Sequence, residues 1–252
     1  VVLPQEPRQI SPRFARQTGA YKVSRLEWAY PTVSLNHPDM SSLDMLAQIV
    51  GSGESSRLVL AIKEKQKLVH SISAASVTLC EAGIFDISAT FDPGREEEVI
   101  AAIQAEVDSW KTVSFSQEEI DKARRLLLTG ELANLQTVKG QAYSYATGEF
   151  CAQDPRFSET YLRQLGKITP ETLRDTARKY LYAENKTLTI LSPTSKAGAN
   201  VEKQVSLTTV LPVKTALSCG APLIVREDRR LPFVYFCVSF GGGLLSENDA
   251  NN

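Results

Sequence analysis

Apolar residues recur along this chain at two spacings, and the changes between them mark out its elements. Leu43, Leu46, Ala47 and Val50 keep the i, i+3, i+4, i+7 spacing of one buried helical face, which predicts a helix over 41–50. Gly51-Ser52-Gly53 ends it, and a second helix is expected from Ser55 to Gln66. Between Ile84 and Phe91 the period falls to two. Phe85, Ile87, Ala89 and Phe91 face one way, while Asp86, Ser88 and Thr90 face the other. That alternation belongs to a strand with one face on a core and one face wet. The stretch from His70 to Leu79 reads as its antiparallel neighbour, joined through Cys80-Glu81-Ala82-Gly83. Tyr21 to Tyr30 and Lys186 to Leu191 read as further strands, and 1–16 as an extended lead-in.

Helix-start signals place the remaining elements. Glu96, Glu97 and Glu98 sit where a helix N-terminus favours negative charge, ahead of an apolar stripe of Val99, Ile103, Val107 and Trp110. Ser116 and Glu119 have the spacing of a capping box and open a helix that continues through Leu135. Helical character resumes from Lys139 to Phe150. Thr169 as N-cap and Pro170 at the first helical position start a last helix, expected to run to Tyr182. Helices grouped apart from a short run of hairpin strands predict an α+β fold, a two-layer sandwich with helices on one face of a mainly antiparallel sheet.

The expected organisation is a domain over 1–192, a polar linker over 193–215, and the first strands of a following, truncated domain over 216–252. Ala221 to Arg226 and Pro232 to Phe240 read as two strands joined by Glu227-Asp228-Arg229-Arg230. The second is apolar on both faces, so it calls for cover and for edge partners. Its expected partner is the sheet of its own domain or a second copy of the chain, which makes a dimer. It runs into Gly241-Gly242-Gly243 and the chain stops at Asn252, having opened on Val1-Val2; this reads as a segment of a larger protein.

Charge adds an exclusion. The 28 Lys and Arg against 29 Asp and Glu leave a net of −1 with no basic stripe, so neither nucleic acid nor an anionic membrane has an electrostatic footprint here. No apolar run approaches the ~20 residues that cross a bilayer. Cys80, Cys151, Cys219 and Cys237 form no CxxC pair and read as small buried hydrophobes, with no disulfide framework expected. The only two histidines are His37, in a turn, and His70, at a strand start. No His-Glu-x-x-His or His-x-x-Glu-His occurs, so a helical pair of zinc ligands cannot be built. Phosphate-binding and nucleophile-elbow motifs are also absent, and no catalytic constellation is visible.

Several segments in order resemble the insulinase/pitrilysin-type metallopeptidases, the inverzincins, whose relatives include mitochondrial processing peptidase. They are Glu27-Trp28-Ala29-Tyr30, Gly51-Ser52-Gly53-Glu54-Ser55-Ser56-Arg57-Leu58, the stretch from Ile62 to Ala75, Gly83 to Thr90, the helix after Phe115, and Ile168 to Leu181. The resemblance implies the second domain of one half of a zinc endopeptidase that closes around peptides or unfolded proteins. It implies zinc in the parent protein and none held by this chain. In the complementary half the family places an Arg and, seven residues on, a Tyr near the substrate; those positions here are Lys63 and His70. The departure fits either a second domain of the zinc-bearing half or a half that has lost activity and serves in binding or assembly. The compartment stays open, with a bacterial periplasm or cell envelope as the expectation.

Overall fold

A computed structural model describes residues 9–194 and 212–225, and the chain divides into two compact units, Val1–Gly198 and Ala199–Asn252. The first is built on five strands: β1 (Arg13–Gly19), β2 (Ser24–Thr32), β3 (Ser71–Thr78), β4 (Gly83–Phe91) and β5 (Thr187–Pro193). They lie in the order β1-β5-β2-β4-β3, antiparallel throughout except for the parallel pair β1 and β5.

The two-residue period explains the layering. Leu26, Trp28 and Tyr30 of β2 are buried, and the register sets Trp28 opposite Ile87 and Tyr30 opposite Phe85. The helices cover this face: α1 (Met40–Gly51), α2 (Glu96–Trp110), α3 (Gln117–Leu135), α4 (Val138–Thr147), α5 (Phe157–Leu165) and α6 (Pro170–Tyr180). Leu43, Leu46 and Val50 of α1, the stripe Val99, Ile103, Val107 and Trp110 of α2, and Leu173 and Ala177 of α6 join the strand residues in one apolar cluster. Each large side chain so buried contributes about 1.5–3 kcal/mol. The capping box forms as the spacing predicts, with Ser116 Oγ accepting from the Glu119 amide and the Glu119 carboxylate accepting from the Ser116 amide. Thr169 likewise accepts from the Thr172 amide ahead of Pro170. Of the acidic trio, Glu96 accepts hydrogen bonds from Ser24 and Ser192 and so ties α2 to β2 and β5.

Four differences from expectation have physical reasons. Residues 13–16 are strand rather than lead-in, because β1 lies along β5 while most of its side chains remain exposed, which leaves no apolar alternation to read. The helix expected over 55–66 is wound as a π-helix over Val59–Lys65 and ends near Lys67, whose φ of 52° turns the chain toward β3. Helix α5 was not anticipated: it is short, and Leu165 is its one fully buried residue. Cys80 and Cys151 are not separate small hydrophobes: they form a disulfide across a sequence separation of 71, with Cα atoms 4.5 Å apart. Cys80 sits in the β3–β4 turn and Cys151 in a π-helical turn, Gly148–Ala152, so only the folded chain brings them together. Cys219 is an exposed free thiol, and Cys237 lies outside the described residues.

In the second unit β6 (Val213–Ala216) pairs antiparallel with β7 (Pro222–Val225). Gly220, at φ +85°, makes the turn between them. Strand β6 thus begins inside the stretch read as linker. The strand expected over Pro232–Phe240, with its anticipated dimer contact, lies outside the described residues.

Candidate substrate-facing surface

The face of the sheet away from the helices is half-exposed and carries short, mostly polar side chains. Strand register aligns them in rows that run across all five strands. Ala15, Thr189, Glu27, Ser88 and Ser73 form one row, and Arg13, Thr187, Ala29, Asp86 and Ala75 another. Ser88 Oγ donates to Glu27 Oε2 at 2.5 Å and lies 3.5 Å from Asp86. Burial, and then the neighbouring Glu27 charge, push the Asp86 carboxyl above the ordinary range. The surface can therefore offer hydroxyl and carboxylate acceptors to an extended chain laid across it.

Lys63 and His70, the residues singled out by resemblance, flank the entry to β3. Lys63 lies on the π-helical segment with its Nζ 3.0 Å from the mostly exposed Glu54 carboxylate. His70 continues the β3–β4 ladder by donating its amide to Thr90 O at 2.7 Å, and its Nε2 stands 3.0 Å from Asp92 Oδ1. Each is tied to a different carboxylate, and the His70 side chain is 53% exposed. Exposed pairs of this kind contribute about 0–1 kcal/mol, so both side chains can be drawn away by a ligand at little cost. His37 accepts from the Asp39 amide at 3.0 Å, a turn contact at the start of α1.

Arg57 is the residue in this region that sequence reasoning passed over, although it stands inside one of the quoted motifs. Its Nε and Nη2 each donate to a Glu119 oxygen at 2.7 Å, Nη2 also reaches Ser114 O at 3.2 Å, and the guanidinium lies 4.3 Å from the Phe115 ring centre. Glu119 thus caps α3 and anchors the segment leading to Lys63. Burial raises its carboxyl, but the Arg57 and Ser116 hydrogen bonds outweigh this and hold it below the usual range. Arg57→Ala is expected to cost about 2 kcal/mol at neutral pH, since a bidentate charged pair is broken and a partly buried carboxylate is stranded. A carboxyl lowered on folding stabilises in full above its unfolded pKa, about 4.3, and the benefit fades as pH falls through the folded value. Urea unfolding should accordingly separate wild type from Arg57→Ala at pH 7, and the gap should narrow as pH falls below about 4 and the carboxylate protonates.

Among the described residues no group of three or more His, Cys, Asp or Glu is placed to hold a metal ion. No helix among them is long and apolar enough to cross a membrane. The described residues do not fit a zinc centre, and no chemical step is assigned through one.

Residues 2–127 match the family model of the peptidase M16 inactive domain. The chain is 25% identical over 196 residues to zinc protease PqqE of Helicobacter pylori, covering 75% of this chain and 43% of that protein. It is 22% identical over 152 residues to an uncharacterized zinc protease of Streptomyces coelicolor, covering 60% of this chain and 33% of that protein. The crystal structure of a protease from Helicobacter pylori shares the fold, with a TM-score of 0.69 at 22% identity over 75% of this chain and 46% of that one. The chain spans less than half the length of the curated relatives it matches.

Proposed function

Because the chain belongs to the peptidase M16 family, as its inactive domain, we infer that it forms a noncatalytic wall of a peptide-binding chamber. Zinc and the groups that act with it belong, on this reading, to another part of the parent protein, in keeping with relatives named zinc proteases. The observation that carries the proposal is the half-exposed sheet face, whose rows of Ser73, Ser88, Thr189 and Glu27 leave room for an extended peptide backbone. On this reading Lys63 and His70, which flank the entry to β3, serve as donors to a substrate carbonyl. A π-helical segment carries Lys63, and such segments are concentrated at functional sites. The Cys80–Cys151 disulfide supports an oxidising compartment, a bacterial periplasm or cell envelope.

The test uses the parent protein with a photo-reactive residue at Ser73 on the open face, or at Leu126 on the exposed side of α3. Peptide substrate should be captured several-fold better from Ser73; equal capture at both places defeats the chamber-wall reading. The chain alone should hold far less than one zinc and turn over no peptide, and stoichiometric zinc with turnover overturns its noncatalytic role. A second reading, a binding or assembly subunit without a protease, is favoured by Lys63 and His70 standing in for the family's Arg and Tyr. An intact His-x-x-Glu-His upstream in the parent reading frame excludes it.

A further inference from the structure

On the helical side of the first unit, away from the sheet face just described, a cleft of about 330 Å³ opens between α1, α3, α4, α5 and the end of β3. Its polar lining includes Asp44 of α1, Glu131 of α3, Ser76 and Thr78 of β3, and Tyr161 of α5. None of the residues lining it is Lys, Arg or His. Asp44 lies between Leu43 and Met45, both fully buried, so its carboxylate has been carried into the helix layer. Burial pushes that carboxyl above the ordinary range, offset in part by the nearby Ser76 hydroxyl and by Tyr161.

Hydrogen-bonding capacity in this cleft is left unfilled. An ionised carboxylate can accept about four hydrogen bonds, and Asp44 has one formed bond, from Tyr161 Oη at 3.1 Å. The hydroxyl oxygens of Ser76 and Thr78 are buried without a formed partner, although Ser76 stands near Asp44. Two carboxylates without a lining counter-charge repel anions. Among the described residues no group of three or more His, Cys, Asp or Glu gathers here to hold a metal ion. A donor-rich cation on an apolar stem meets both demands. The lining supplies Asp44 and the β3 hydroxyls for such a head, Met40 and Phe157 as apolar surface for the stem, and the aromatic rings of Tyr143 and Tyr161. The volume lies at the lower end of the range for small-molecule sites.

We propose that this cleft binds a small organic cation, a primary ammonium or guanidinium on a short apolar stem, with Asp44 as its counter-charge. The site is separate from the sheet face and does not depend on the chamber-wall reading. The cation can be a free amine or the side chain of a basic residue in a peptide, and the test distinguishes them.

Calorimetric titration of the chain with agmatine and with 1-aminopentane should give saturable binding, whereas pentan-1-ol should give none. Asp44→Asn keeps an acceptor for Tyr161 and should weaken agmatine at least ~10-fold, because a charge-assisted bond is lost. Glu131→Gln should weaken it by a smaller factor. An acetylated peptide with one central lysine that binds more tightly than agmatine identifies the peptide side chain as the occupant; weaker peptide binding identifies the free amine. Should Asp44→Asn fail to fold, amide shifts of the wild-type chain decide. Agmatine must move Ser76, Thr78 and Tyr161, and shifts confined to other residues overturn the proposal. Absence of binding at millimolar concentration, or equal binding by wild type and folded Asp44→Asn, also overturns it.

Discussion

The double variant Cys80→Ser, Cys151→Ser is expected to lose about 4 kcal/mol of stability, the chain-entropy value for a closed loop of this size. The separation of 71 residues encloses β4, α2, α3 and α4, so opening the link frees much of the unfolded chain. For a domain of this size the melting temperature should fall by about 10 °C. Urea unfolding of the wild type with and without reductant, in a Cys219→Ser background to prevent intermolecular pairing, measures the same quantity independently. Reductant should move the wild-type transition and leave the double variant where it is. A wild-type transition unmoved by reductant would remove the bond from the account.

Gly51→Ala carries the second large effect, and two opposing terms decide its sign. Gly51 closes α1, where alanine's better helix propensity favours the variant by about 1 kcal/mol. A Cβ at that position would land on the backbone and side chain of Ala74 in β3. Backbone cannot swing aside as the end of a flexible side chain can. Separating α1 from β3 is therefore expected to cost about 3 kcal/mol, the upper part of the range for overpacked cores, and the net effect is destabilising. Gly130→Ala is the matched control, since a Cβ there meets nothing within 4 Å on α3. It should stabilise by about 0.5–1 kcal/mol. Thermal melts of the two variants should move in opposite directions; movement of both the same way refutes the steric argument.

What could be read in the residues beforehand was local and periodic. The α2 stripe, the β4 alternation, the β3–β4 hairpin and the Ser116–Glu119 capping box each depend on residues within one or two turns of each other, and each stands where its spacing puts it. Long-range partners and weakly patterned segments escaped. Helix α5 carries its apolar stripe over only nine residues, too short a run to stand out, and β1 has no covered face to mark with apolar residues. Cys80 and Cys151 carry no spacing signal because their meeting depends on how α4 and its π-helical extension return to the β3–β4 turn. Among surface residues, Lys63 and His70 could be located by family likeness, but their carboxylate partners could not. Asp44 stands in α1 with no motif around it, and only the neighbouring helices make it part of a cleft.

The pairing of β1 with β5 has a consequence for how a ribosome delivers this domain. Arg13 lies opposite Thr187, so β1, the first of the five strands in chain order, waits for the fifth before it gains a neighbour. The β2-β4-β3 layer can close on the helices sooner, and β5 must then seat against β2 before β1 has anywhere to bind. Parallel pairing between such distant segments makes a slow closing step. Until then β1 stays an open ribbon, a natural handle for a chaperone during synthesis.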